Sequence, residues 1–307
     1  MNPYILSILL GIVEGLTEFL PVSSTAHLRI AEALMKLPLD NSACLAGNAA
    51  CLQDVRYWEM YTIVIQVGAI LALCLLFLER IVGFLRTFPE GDRGDRNWLT
   101  HPISLTLVAF ACTSAPALLL RKWSEKNLGS LNAMAIAFLV GGVIMWAVDA
   151  WSDRVEPSTT HVEEMTLPQA IWIGLCQTFS AVFPGTSRSM STIAAGQIAG
   201  LDRPSALEFS FLLSIPTMIA ATGWDLVKEI HPHKAAGAAG VATAHVIMNP
   251  ERWIVLIIGT VVSFIVALGV VEWFLMWVRR HGFTMFAIYR IVFGIALLIW
   301  GAKFIGG

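Results

Sequence analysis

The sequence predicts an all-α integral membrane protein with six transmembrane helices and two re-entrant helix pairs in an inverted-topology repeat. Of its 307 residues, 56% are hydrophobic and 14% are charged, and the mean hydropathy is +0.70, which is not typical of a soluble domain. The apolar runs are continuous and do not alternate, which argues against the strands of a membrane barrel. The third observation is an internal repeat in which each copy begins with a broken apolar segment.

Six apolar stretches are long enough, or nearly so, to cross a hydrocarbon core that requires roughly 20 helical residues. In chain order they lie near 60–78, 103–120, 131–150, 208–227, 254–277 and 284–302. No basic run points to a nucleic-acid partner, and the loop charges do not decide the orientation in the membrane. No signal peptide is predicted, because no Lys or Arg precedes Arg29 and acidic residues interrupt the first apolar run.

Two further apolar stretches, near 4–37 and 167–201, are interrupted at Pro21 and Pro184. The piece after each interruption has about 13 residues, which is too short to span a membrane alone. Each stretch is therefore predicted to enter the membrane partway and to return as a second short helix. Such a path is tolerated only where the backbone is buried in protein or lines a wet cavity.

The repeat appears when "GIVEGLTEFLPVSSTAH" (11–27) is set over "GLCQTFSAVFPGTSRSM" (174–190). The aligned pairs are Gly11 with Gly174, Glu14 with Gln177, Pro21 with Pro184, Ser23 with Thr186 and Ser24 with Ser187. Two repeats, 1–150 and 160–307, are predicted within one membrane domain, and each contains a re-entrant pair and three spans. An odd number of crossings per half places the second half upside down relative to the first.

A polar loop between the first re-entrant pair and the first span contains Cys44 and Cys51. If this loop faces an oxidising periplasm, the two thiols can form a disulfide, and free thiols are the equally open alternative.

Hydroxyl groups cluster where each second short helix begins. They belong to Ser23, Ser24 and Thr25 in the first copy and to Thr186, Ser187 and Ser189 in the second. Ser and Thr are preferred helix N-caps, and the unpaired amides of a helix N-terminus attract anions. Two such turns meeting near the pseudo-twofold axis would surround one phosphate group.

The two copies differ in their charged residues. Where the first copy has Glu14, Glu18, Thr25 and His27, the second has Gln177, Ala181, Arg188 and Met190. Glu14 and Glu18 are four residues apart and share a helix face, so with water they can hold a divalent cation. Arg188 can fork onto phosphate oxygens. Charged groups are costly inside a membrane, which favours a functional role for all three.

Alternative interpretations are structural. Glu14, Glu18 and Arg188 can be an ion cluster that locks the two halves together, and His27 can be an ordinary helix histidine. Ser23 and Thr25 can serve only as caps. Arg290 lies nearer the end of a span and is expected to extend its charge to the membrane interface.

At these residues the chain resembles the undecaprenyl-diphosphate phosphatases of the bacitracin-resistance type. The resemblance rests on "EGLTEFLPVSSTAH" (14–27) and "PGTSRSMST" (184–192), with support from "IVIQVGAILA" (63–72), "EFSFLLSIPT" (208–217) and "FAIYRI" (286–291), and it covers nearly the whole chain. Ala26 and Met190 depart from the family pattern, which commonly has glycine at both positions. Both add bulk near a turn without removing a chemical group.

The resemblance implies hydrolysis of undecaprenyl diphosphate to undecaprenyl phosphate and inorganic phosphate, which recycles the lipid carrier for peptidoglycan synthesis and confers bacitracin resistance. It implies a multi-pass protein of the bacterial inner membrane, a site facing the periplasm and a divalent cation, Mg²⁺ or Ca²⁺. The expected partners are the lipid substrate and the membrane, with a homodimer left open.

The resemblance also implies roles for individual residues. Glu14 and Glu18 match the acidic, metal-holding motif, Ser24 the nucleophile, His27 the motif histidine and Arg188 the phosphate-binding arginine. The substrate-binding residues are Ser23, Thr25, Thr186, Ser187, Ser189 and Thr192.

The expected reaction is attack of Ser24 on the terminal phosphorus, with Glu18 or His27 as its base. Direct attack by His27 or by metal-activated water stays open. A rival function is transport of undecaprenyl phosphate across the membrane, because inverted repeats with broken helices are common in transporters.

Overall fold

The computed structural model describes residues 2–37, 49–91, 94–127, 131–230 and 246–304. Within these ranges the chain forms eleven α-helices and one short 3₁₀ helix, Val162–Glu164. The α-helices are α1 (Pro3–Thr17), α2 (Ser24–Leu34), α3 (Ala49–Leu76), α4 (Leu78–Thr87), α5 (Pro102–Asn127), α6 (Leu131–Ser152), α7 (Leu167–Val182), α8 (Arg188–Ile198), α9 (Arg203–Ile230), α10 (Pro250–His281) and α11 (Thr284–Phe304).

Five of these helices, α3, α5, α6, α9 and α10, are long and apolar enough to cross a membrane. The all-α class and the membrane assignment are thereby confirmed. The sixth predicted span corresponds to α11, whose apolar part Thr284–Ile299 falls, like α1, among the shorter apolar helices. The Cys44–Cys51 disulfide stays a prediction, because Cys44 lies outside the described residues.

Both predicted breaks are present. The first lies between α1 and α2 and contains Pro21, and the second lies between α7 and α8 and contains Pro184. Proline has no backbone N–H and crowds the preceding turn, which favours a break at these positions. Pro116 and Pro216 nevertheless lie inside α5 and α9, so proline alone does not determine where the helices end. We refer to residues 18–23 as the first turn and to residues 183–187 as the second turn.

The helix caps correct the alignment of the two copies. Ser23 caps α2 with φ of 66° and Ser187 caps α8 with φ of 72°, so these two serines are equivalent. The second turn has one more residue between its proline and its cap, and Gly185, at φ of 91°, accommodates it. Both serines occupy the left-handed region that side chains rarely adopt, a strain typical of functional sites.

This shift changes which residues correspond across the repeat. The sequence alignment pairs Arg188 with Thr25, but the structure pairs Arg188 with Ser24, since each is the first residue of its helix. The residue types alone do not locate the extra residue, because hydroxyl-bearing residues occupy several positions after the proline in both copies.

The first helix of each broken segment packs against the other half of the chain. Helix α1 lies along α10, and α7 lies along α5. Gly11 permits the first contact, because a Cβ there would lie 2.6 Å from the carbonyl oxygen of Gly259. Gly174 permits the second, where a Cβ would collide with the backbone of Ala109. Small residues allow such close backbone approach between membrane helices.

Candidate active site

Glu18 connects the two broken segments. It caps the C-terminus of α1, and only 8% of it is exposed. Its Oε2 accepts a hydrogen bond from Ser24 Oγ at 2.5 Å, and its Oε1 lies 3.2 Å from Arg188 Nη2. The first residue of α2 and the first residue of α8 therefore reach the same carboxylate.

Arg188 is held from a second direction by α9. Its Nη1 donates to Ser214 Oγ, and its Nη2 lies 3.3 Å from Met218 Sδ. Ser214 in turn donates to the carbonyl oxygen of Ser210 at 2.6 Å. The guanidinium is fixed on several sides, which is the preorganisation that anion recognition requires.

Glu14 lies one helical turn before Glu18 and is almost completely buried, with 1% exposed. Neither of its carboxylate oxygens has a hydrogen-bond partner among the described residues. Burying such a group is costly unless a cation or a proton compensates it. Glu14 and Glu18 therefore fit the carboxylate half of a divalent-cation site.

In the described part of the chain no group of three or more His, Cys, Asp or Glu side chains could hold a metal, so such a cation would need ligands besides Glu14 and Glu18. Two carboxylates with water and substrate oxygens completing the shell is a common arrangement for Mg²⁺.

His27 lies apart from this cluster. Its Nδ1 is 2.8 Å from the carbonyl oxygen of Ser23, and its Nε2 is 2.6 Å from Tyr289 Oη. The ring stacks on Phe293 at a centroid distance of 4.9 Å. Both ring nitrogens already have partners, and a catalytic role for His27 stays a prediction.

A polar cavity of about 250 Å³ opens between the two turns. It is lined by Glu18 and Arg188 and by the hydroxyl-bearing residues Ser23, Ser24, Thr25 and Ser187. Neither His27 nor Glu14 is among the residues lining it, and Glu14 lines a neighbouring cavity that also reaches Ser24 and Thr25. The structure thus brings together six of the residues that the sequence indicated.

The other three predicted hydroxyl residues lie elsewhere. Ser189 donates to the carbonyl oxygen of Leu20 at 3.0 Å, which joins α8 to the first turn. Thr192 lies 2.6 Å from Ser210 Oγ, on the chain of hydrogen bonds that leads to Arg188. Thr186 lines a different, apolar cavity behind the second turn. Their role as substrate ligands stays a prediction.

Arg290 corrects the expectation of a side chain that reaches the membrane interface. It is 0% exposed, and its guanidinium donates to the carbonyl oxygens of Pro21 and Gly185, both at 3.1 Å. A third bond, of 3.2 Å, goes to the carbonyl oxygen of Ala137. One buried arginine on α11 therefore ties both turns together. The signal was a charged residue inside an apolar span, which is a candidate functional residue by default.

Sequence reasoning also missed polar residues of the spans that line the cavity: Gln66, Thr113 and Thr217. Gln66 and Thr217 lie in stretches that supported the family resemblance and Thr113 lies in a predicted span, but none of the three was predicted as a site residue. Thr217 receives a hydrogen bond of 3.1 Å from Gln177, the residue aligned with Glu14.

A family model described as "Bacitracin resistance protein BacA" matches residues 7–296, which include both turns and Arg290. The chain belongs to the BacA family. Several relatives in this family are named "Undecaprenyl-diphosphatase". The one from Koribacter versatilis is 53% identical over 99% of this chain and 100% of its own length.

More distant BacA relatives carry the same name. The protein from Caldanaerobacter subterraneus subsp. tengcongensis is 36% identical over 97% of this chain and 96% of its own length. One from Xanthomonas oryzae pv. oryzae is 37% identical over 98% of each chain. The resemblance drawn from the two motifs is confirmed.

Proposed function

We propose that this chain hydrolyses undecaprenyl diphosphate to undecaprenyl phosphate and inorganic phosphate, and so contributes to lipid-carrier recycling and bacitracin resistance. Membership of the BacA family and the name of its relatives support this function. The structural observation that carries it is the contact of Ser24 and Arg188 with one buried carboxylate, Glu18, between two helix N-termini. A hydroxyl, a base and an anion-binding guanidinium in one cavity suit phosphoryl transfer.

In the proposed reaction the diphosphate lies in the polar cavity, with its oxygens held by Arg188 and by the amides that begin α2 and α8. Ser24 Oγ attacks the terminal phosphorus and gives its proton to Glu18. The bond from that phosphorus to the bridging oxygen breaks, and undecaprenyl phosphate leaves. Glu18 passes its proton to the departing undecaprenyl phosphate and is ionised again. It then takes a proton from the water that attacks the phosphoserine, and it returns that proton to Ser24 Oγ as inorganic phosphate is released.

His27 is assigned a positioning role in this mechanism. Its bond to the carbonyl oxygen of Ser23 supports the strained cap that precedes the nucleophile. Direct attack by His27 would require the attacking ring nitrogen to give up its present partner, the carbonyl oxygen of Ser23 or the hydroxyl of Tyr289.

The proposed cofactor is Mg²⁺ or Ca²⁺, with Glu14 and Glu18 as its protein ligands. When bound, the cation would neutralise negative charge that develops on the phosphate oxygens. The unpaired, buried carboxylate of Glu14 supports this assignment.

The proposed architecture is an inverted repeat of two halves, 1–150 and 160–307, with six spans, two re-entrant pairs and a site that faces the periplasm from the bacterial inner membrane. It is supported by the helix order, in which two short helices precede the long ones in each half, and by the reciprocal packing of α1 on α10 and α7 on α5.

The first experiment measures phosphate release from undecaprenyl diphosphate by purified protein in detergent, with Mg²⁺ or Ca²⁺ and then with excess chelator. We expect release that needs the cation, and a Glu14→Gln variant that needs at least tenfold more cation for half-maximal rate. Release that is unaffected by chelator would contradict the cation site. No release from folded protein would favour transport of the lipid carrier.

Ser24→Ala tests the nucleophile. We expect kcat to fall by at least a thousandfold, because the attacking oxygen is removed while Glu18 and Arg188 keep their contact. Acid quenching of wild-type protein with a terminally ³²P-labelled substrate should trap phosphoserine. Thr17→Val is the matched control, since Thr17 Oγ1 only bonds the carbonyl oxygen of Val13 at 2.7 Å in its own helix. Near-full turnover by Ser24→Ala would assign attack to water or to His27.

A further inference from the structure

A second cavity of about 490 Å³ lies behind the second turn, between α6 and the α7–α8 segment. Its lining includes Ile136, Val140 and Ile144 of α6 together with Phe179, Phe183 and Met190. We call it the apolar groove. Its volume is in the range of small-molecule sites, roughly 300–1,000 Å³.

The second turn is a wall shared by the apolar groove and the polar cavity. Phe183 and Thr186 line the groove, whereas Pro184, Gly185 and Ser187 line the polar cavity. Residues of one turn therefore face a charged site on one side and an apolar groove on the other. A ligand with a charged head and an apolar chain has a place for each part within a few residues.

The apolar groove lies close to Arg290, the arginine that joins the two turns. A Cβ at Gly141 would lie 2.5 Å from Arg290 Nη2 and 2.8 Å from Met190 Cε. Gly141 and Met190 both line the groove, and Arg290 binds the carbonyl oxygens of both turns. Residues that line the groove are therefore next to the arginine that positions both turns of the site.

We infer that the apolar groove binds the first isoprenoid units of the lipid diphosphate, next to its head group. This inference rests on the proposed function. The outer side chains of the groove are exposed, Ile136 by 53% and Val140 by 48%, and they lie on α6, a helix long and apolar enough to cross a membrane, so they would contact lipid there. An isoprenoid chain can therefore enter sideways from the lipid without crossing water. Because lipid tails are as apolar as the groove, selection depends on packing against the aromatic and branched side chains.

Photo-cross-linking tests this placement. p-Benzoylphenylalanine replaces Val140 in the groove or, as a matched control, Val261 on α10, which is 49% exposed. The full-length protein is irradiated in lipid nanodiscs with radiolabelled undecaprenyl diphosphate under chelation. We expect label at position 140, competed by unlabelled undecaprenyl diphosphate but not by added phospholipid, and little label at position 261. Equal labelling at both positions, or competition by phospholipid, would overturn the inference.

Kinetics of Val140→Trp and Val261→Trp provide a second measurement. We expect Val140→Trp to raise KM for undecaprenyl diphosphate about tenfold with little change in kcat, because the indole occupies space used by the chain in ground state and transition state alike. Val261→Trp should stay within about twofold. If wild type is inactive, the proposed function fails. If wild type is active and the two variants behave alike, only the groove inference fails.

Discussion

Replacing Glu18 by glutamine is expected to lower kcat for undecaprenyl diphosphate by about a thousandfold or more. The amide cannot take the proton of Ser24, and it removes the negative charge that Arg188 faces at 3.2 Å. It also removes one of the two carboxylates proposed to hold the cation. The measurement is steady-state phosphate release in detergent at saturating cation.

Two further variants make the Glu18 result interpretable. Glu272→Gln changes an exposed carboxylate on α10 and should retain activity within twofold. Glu18→Asp keeps the charge but withdraws it by one methylene, so its rate should lie between those of wild type and Glu18→Gln. If Glu18→Gln keeps more than a tenth of wild-type kcat while remaining folded, Glu18 is not the base.

Replacing Arg290 by leucine is expected to lower the free energy of unfolding by about 3–5 kcal/mol. The leucine would leave the carbonyl oxygens of Pro21, Gly185 and Ala137 without the donor that each has now. The two turns would then separate, and phosphate release should fall along with stability. Unfolding can be followed by the fluorescence of the 11 tryptophans.

Arg279→Leu is the matched control for Arg290, since it removes an exposed guanidinium near the end of α10 and should change stability by less than about 0.5 kcal/mol. Arg290→Lys retains one charge but not the planar fork, so it should recover stability only in part. Wild-type stability in Arg290→Leu would show that the turns are held together by helix packing alone.

Most of the charged residues of the site could be predicted from the sequence. Glu14, Glu18 and Arg188 were predicted to be functional because charge is costly in a membrane. Ser24 was predicted from its place at a helix start and from the family resemblance. The helix breaks were predictable too, since each contains a proline that disfavours helix continuation and is followed by hydroxyl-bearing residues that favour a helix start.

What the sequence did not predict depends on side-chain direction and backbone conformation. The left-handed caps at Ser23 and Ser187 change the register by one residue, and no pattern of residue types encodes that shift. His27 turns toward Tyr289, a residue 262 positions away, which its neighbours in sequence could not indicate. Arg290 was expected at the membrane interface because the sequence shows only its distance from the end of the span. Its acceptors in the two turns are backbone carbonyl oxygens, and residue types do not reveal where those point.

The packing of α1 on α10 has a consequence for how the protein is made. Ser7 of α1 donates to the carbonyl oxygen of Val255, a residue 248 positions later, at 2.6 Å. At ribosomal speeds of about 5–20 residues per second, α1 waits roughly 12–50 s before that partner is synthesised. For much of this interval Glu14 and Glu18 are at the membrane before Arg188 and α10, which later pack beside α1 and its cap, have been synthesised. We therefore expect the insertion machinery to keep α1 and α2 out of contact with lipid until translation is nearly finished.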